Sequence, residues 1–105
     1  MFVRASTIQA DPAKAEEGNR FYAEQTVPSI QSQPGFMGAL LLIDRGTGKS
    51  LGLTFWEDED SLKASEDAAN RLRSQGADLT AATTPPTVER YEVAFYGVPE
   101  PGAVR

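Results

Sequence analysis

From Phe36 to Asp44 the chain is almost unbroken apolar sequence, Phe-Met-Gly-Ala-Leu-Leu-Leu-Ile before the aspartate. In an extended strand successive side chains point to opposite faces, so Phe36, Leu40 and Leu42 are expected on one side and Met37, Ala39, Leu41 and Ile43 on the other. Neither side suits water. The same holds for Ser50 to Trp56, where Leu51, Leu53 and Phe55 oppose Gly52, Thr54 and Trp56, and for Val88 to Val98, where Tyr91, Val93 and Phe95 oppose Ala94 and Tyr96. A sheet built from these segments needs cover on both faces, because a bare face would expose a larger apolar patch than soluble monomers tolerate.

The remaining segments supply cover for one face only. Phe2 to Ile8 reads as a strand, and Asp11-Pro12 as a helix start with a capping aspartate and proline at the first position. The helix is expected from Ala13 to about Ser32, with Ala15, Asn19, Tyr22 and Thr26 on one stripe and Gly18, Phe21 and Gln25 beside it. Pro28 should bend it near its end, and Gln33-Pro34-Gly35 should stop it. Asp44 to Lys49, with two glycines, reads as the hairpin turn into the third strand. Glu57-Asp58-Glu59-Asp60 opens a second helix to about Ser74, with Leu62, Ser65, Ala69 and Leu72 on one face and Gly76 just past its end. A polar connection from Ala77 to Pro86 leads to the last strand.

This order, β-α-β-β-α-β, predicts an α+β, ferredoxin-like split βαβ fold: a four-stranded antiparallel sheet with both helices on one face. A second copy of the chain is the simplest cover for the other face, so a homodimer is expected. At 105 residues the chain is read as one domain over residues 1–98, followed by a flexible tail at 99–105.

Missing residue types narrow the chemistry. The chain has no cysteine and no histidine, which removes disulfides, thiolate nucleophiles, imidazole bases and the usual ligands of zinc, haem and iron–sulfur clusters. No cofactor and no metal site are expected, and the purified protein should be colourless. A net charge of −5 opposes nucleic-acid binding, which needs clustered Lys and Arg. No segment approaches the ~20 apolar residues of a membrane span, and the first residues lack the apolar stretch of a secretory signal, so a cytoplasmic location is expected.

The residues Gln33-Pro34-Gly35-Phe36-Met37-Gly38, then Asp44-Arg45 with its glycine turn, then Thr54-Phe55-Trp56-Glu57-Asp58 and Ala64-Ser65, resemble the antibiotic biosynthesis monooxygenase group of dimeric α/β-barrel proteins. The resemblance covers almost the whole chain. It implies the dimeric barrel and a small-molecule site, with activities that range from cofactor-independent oxygenation of polycyclic aromatics to haem degradation. The haem-degrading branch shares the strand-three Trp, here Trp56, but uses a strand-one Asn, a second Trp about nine positions on, and a His in helix two. This chain has Arg4, Ser6 and Thr7 in strand one, Ser65 in place of the second Trp, and no histidine.

A cofactor-free oxygenase needs an apolar pocket and groups that stabilise an anion. Candidates are Trp56 and Tyr22 as walls, Arg4, Arg20 and Arg90 as cations, and Asn19 and Gln25 as orienting amides. Each has a structural reading beside it: Trp56 and Tyr22 as core aromatics, Arg4 and Arg90 as partners of Glu89, Glu92 or a second subunit. The expected function is binding of a small apolar or aromatic molecule between sheet and helices, with cofactor-independent monooxygenation as the associated chemistry. The alternative is a noncatalytic dimeric stress-response or interaction module with no ligand pocket. Two apparent motifs are set aside. Gly46-Thr47-Gly48-Lys49-Ser50 lacks the first P-loop glycine, since position 43 is Ile. The acidic run at Glu57 reads as a helix cap.

Overall fold

The computed structural model describes residues 1–99. Four strands, β1 (Phe2–Gln9), β2 (Phe36–Ile43), β3 (Lys49–Trp56) and β4 (Thr87–Glu92), form one sheet in the order β2-β3-β1-β4. Every neighbouring pair is antiparallel. The first helical segment is a short 3₁₀ turn (Pro12–Lys14), α1 (Ala15–Phe21), a π turn (Tyr22–Thr26) and α2 (Val27–Ile30). The second is α3 (Glu59–Ala64) and α4 (Glu66–Leu79). Both lie against the same face of the sheet, giving the βαββαβ architecture that the strand and turn pattern predicts. Among the described residues no helix is long and apolar enough to cross a membrane.

Local chemistry explains the starts and turns. The Asp11 carboxylate accepts from the Ala13 N–H at 2.9 Å, and Asp58 caps α3 by accepting from the Ser61 N–H at 2.8 Å. In the hairpin, Asp44 accepts from the Gly46 N–H and Gly48 takes φ +82°, with Ala10 O 2.2 Å from where a β-carbon would sit. Pro28 has no N–H to give the preceding turn, and the wider π turn falls directly before it.

Four details depart from the sequence reading. Phe36 and Gly38 face consecutive residues of β3, Trp56 and Phe55, so Met37 is an extra, bulged residue. The bulge reverses the phase: Phe36 shares a face with Trp56, while Leu40 and Leu42 point to the opposite side. The second helix runs past Gly76 to Leu79, and the left-handed residue that ends it is Ala81, at φ +53°. It also breaks at Ser65, between α3 and α4. β4 stops at Glu92, short of the expected Val98, because it is an edge strand whose one neighbour, β1, begins at Phe2. Its last bond is Val93 N–H to the Met1 carbonyl at 2.8 Å. Apart from Pro99, the expected tail at 99–105 lies outside the described residues.

The core is centred on Trp56, which is fully buried with Ile30, Leu62 and Leu72, with Phe2, Phe21 and Phe36 packed around them. Phe36 meets the indole edge-on, centroids 5.5 Å apart, and the indole N–H donates to Thr54 Oγ1 at 2.9 Å. Trp56→Ala should therefore cost about 3–5 kcal/mol of stability, read from the shift in urea midpoint. An unchanged midpoint would contradict this packing.

Candidate functional site

Between the helices and the sheet lies a cavity of about 90 Å³. Its floor follows from strand alternation: Arg4, Ser6 and Ile8 of β1, Ser50, Gly52 and Thr54 of β3, and Leu41 and Ile43 of β2 all project to the helix side. Its roof is the stripe Ala15, Gly18, Tyr22 and Thr26, together with Ala69, Leu72 and Arg73 of α4. The lining is chiefly apolar, with two guanidinium groups at one side.

Arg4 is 2% exposed, and its side chain is held from several directions. Nη2 donates to the Leu62 carbonyl and to Ser65 Oγ, both at 2.7 Å, while Nε and Nη2 also reach Glu66 Oε1 at 3.2 and 3.1 Å. The Ser65 hydroxyl and N–H donate to the same Leu62 carbonyl. This convergence sits where α3 gives way to α4. The Arg4 guanidinium carbon lies 5.9 Å from the Trp56 ring centroid, within the range of a cation–π contact. Glu66 is shared with Arg90, whose Nε and Nη2 donate to its two oxygens at 2.7 Å each. Arg73 donates through Nε to Ser6 Oγ at 3.0 Å and through Nη1 to Asn70 at 2.7 Å. Arg4 Nη1 and Arg73 Nη2 are buried and find no acceptor among the described residues.

The electrostatics follow from this crowding. Hydrogen bonds from Arg90, with Arg4 beside it, pull the Glu66 carboxyl down to about 2. Burial lowers the pKa of Arg4 and of Arg73, and neighbouring guanidinium charge lowers both further. Tyr22 is pushed up to about 12 by burial, and its hydroxyl donates to the Leu53 carbonyl at 3.0 Å. It therefore keeps its proton at neutral pH. Its ring lies directly over Gly52, where an added β-carbon would stand 2.9 Å from Cε1.

Of the seven residues singled out from the sequence, Arg4 and Tyr22 line the cavity. Trp56 stands behind Arg4 as core, and Arg90 reaches the site through Glu66; neither contributes to the lining. Asn19, Arg20 and Gln25 are exposed and outside it, because the inward stripe leans toward Gly18 instead of Asn19. The partner of Arg4 and Arg90 is Glu66, not Glu89 or Glu92. Arg73 and Ser6 are not among the candidates the sequence offers, although Ser6 alternates with Arg4 and Ile8 and Arg73 follows Ala69 by one helical turn.

A family model described as antibiotic biosynthesis monooxygenase matches residues 1–76. The chain belongs to the antibiotic biosynthesis monooxygenase family. An uncharacterised protein of Mycobacterium tuberculosis is 29% identical over 94 residues, 90% of this chain and 41% of the relative. A second from the same organism is 27% identical over 95 residues. The chain thus spans about two-fifths of the length of these curated relatives. Among solved structures, a monooxygenase from the ActVA-Orf6 gene of Streptomyces coelicolor, in complex with nanaomycin D, superposes with a TM-score of 0.77 at 19% identity. That match covers 94% of this chain and 92% of the other. A haem degrader from M. tuberculosis with two haems bound superposes at 0.71 and 21% identity, covering 93% of this chain and 100% of the other. These structures share the fold with this chain.

Glu66 makes the site acid-sensitive with a definite sign. The folded carboxyl titrates near 2 and an unperturbed one near 4.5, so the unfolded chain binds the extra proton. The stabilisation is complete above about pH 4.5 and is lost as pH falls toward 2. Unfolding midpoints measured across that window should fall more steeply for the wild type than for Glu66→Gln. At neutral pH Glu66→Gln should cost about 3 kcal/mol, because Arg4 then keeps a buried charge without its counter-ion.

Proposed function

We propose that the chain works as a homodimer, in the cytoplasm, in which each subunit binds one small apolar molecule in the cavity between helices and sheet. The proposed chemistry, in line with the family, is oxygenation without a bound cofactor. The observation that carries this reading is the cavity itself: an apolar space bordered by buried donors, in a domain whose small size leaves little room for unfilled volume. The noncatalytic alternative required solid packing here.

Size and chemistry refine the ligand. A space of about 90 Å³ is smaller than the roughly 150 Å³ engineered cavity that admits benzene. It suits a compact molecule, and a fused-ring ligand would require Tyr22 and its π turn to move aside. Haem does not suit it: the space is far too small for the macrocycle and the chain has neither His nor Cys to serve as an axial ligand. Tyr22 holds its proton too tightly to act as a base near neutrality. The protein's part is then to exclude water and stabilise negative charge on the ligand.

The sheet face away from the helices supports the homodimer. Met37, Leu40, Leu42 and Tyr91 are about half exposed there, and the segment after β4 exposes Phe95, Tyr96 and Val98 still more. A second copy would cover this surface and offer the run beyond Glu92 the strand partner that β1 is too short to give.

Sedimentation at micromolar concentration should show a dimer, and Leu42→Asp a folded monomer; a folded wild-type monomer would overturn the assembly. A panel of compact apolar compounds, followed by amide chemical shifts, should perturb residues around Gly52 and Ala69. Ala69→Met, which fills the cavity, should abolish that binding at a cost of about 1–3 kcal/mol from overpacking. Unaltered binding by the variant would place the ligand elsewhere.

A further inference from the structure

The cavity is apolar, yet it is bordered by more positive charge than the protein neutralises. Arg4 and Arg73 both line it, and Arg90 lies on the same side of the sheet, hydrogen-bonded to Glu66. Among the described residues Glu66 is the one carboxylate bonded to this group, and it is already shared between Arg4 and Arg90. Arg73 has there only the neutral Ser6 and Asn70 as acceptors. In a chain of net charge −5, three guanidinium groups on one side of the sheet stand out, with Arg4 buried, Arg73 partly buried and Arg90 exposed. Buried charges without a counter-ion are costly, and so are buried donors without an acceptor. The second condition is met on two residues that line one cavity: Arg4 Nη1 and Arg73 Nη2 are each buried with no acceptor among the described residues, while the other nitrogens of both groups are occupied.

Resting on the binding part of the reading above and not on its oxygenase chemistry, for which a saturated carboxylate has no electron to give, we infer that the cavity's ligand is a compact aliphatic monocarboxylate, its carboxylate received by Arg4 and Arg73 and its hydrocarbon part by the Ile8, Leu41, Ile43 and Tyr22 side of the cavity. A carboxylate has two oxygens to offer two separate N–H donors, and such charge-assisted bonds are stronger than neutral ones. It is also already ionised at neutral pH, whereas an unperturbed phenol titrates near 10 and would have to lose its proton to serve. The volume of about 90 Å³ limits the hydrocarbon part to a few carbons.

The test compares isobutyrate with isobutyramide, two probes of nearly equal shape that differ in charge, titrated into the full chain at pH 7 and low salt with amide chemical shifts as readout. Isobutyrate should bind at least tenfold more tightly, with shifts at Ser6, Gly52 and Arg73. Arg73→Gln should remove most of that preference while leaving the weak amide binding in place. Arg73→Lys, which keeps the charge, should retain part of it and serves if the glutamine variant fails to fold. Equal or tighter binding of isobutyramide by the wild type would overturn the charge inference and leave the cavity reading standing. If neither probe nor any member of the apolar panel binds, the cavity reading itself fails and this inference falls with it.

Discussion

A guanidinium group taken out of water inside a small domain has to be answered by the atoms around it, and in this chain Arg4 is answered almost entirely by one helix break. The Leu62 carbonyl, the Ser65 hydroxyl and the Glu66 carboxylate all turn toward it. That convergence joins β1 to the junction of α3 and α4. Through Glu66 it also draws in Arg90 from β4. Three elements distant in sequence are thereby pinned around one cation, with the Trp56 indole as its neighbour. Single contacts of this kind are worth little at a surface, but here the charge is buried and its loss of partners would be felt in full.

The same arrangement positions the cavity. Arg4 stands between the Trp56, Phe36 and Leu62 packing and the cavity under Tyr22 and α4, while Ile30, Leu72 and Phe21 belong to both. The S. coelicolor monooxygenase and the M. tuberculosis haem degrader share this architecture at about a fifth of residues identical. A fold held in common by such different proteins does not fix their chemistry, and Arg4, Arg73 and Tyr22 are what distinguish the cavity of this chain chemically from a purely apolar one.

Much of the architecture was legible because its signals are local. Asp11-Pro12, the glycine turn after Asp44 and the acidic start at Asp58 act within a few residues, and each does what its chemistry implies. What escaped the sequence depends on distant partners. The break at Ser65 lies where a side chain from residue 4 converges on the helix, and nothing near Ser65 announces it. Asn19 and Gln25 fell off the inward stripe because the helix settles with Gly18 toward the sheet and then widens into a π turn. Arg73 sits in the polar run Asn70-Arg71-Leu72-Arg73, where its inward direction shows only once the phase set by Ala69 and Leu72 is known. The proposals of a homodimer and of a ligand rest on an outer sheet face and a cavity whose occupants lie beyond a single chain.

The bulge at Met37 determines the side on which β2 begins. Because Phe36 to Ile43 contains no polar side chain, nothing in the composition of that strand distinguishes inside from outside; the hairpin register does so for Leu40 to Ile43, and the one supernumerary residue for Phe36. With it, Phe36 joins the Trp56 core while Leu41 and Ile43 face the cavity and Leu40 and Leu42 face away. Losing a single residue there would turn Phe36 away from Trp56, since the hairpin holds Leu40 to Ile43 in register with Leu53 to Ser50. The strand can therefore exchange one aliphatic residue for another at many positions, yet the number of residues between the hairpin and Phe36 has to be kept for the indole to have its edge-on neighbour.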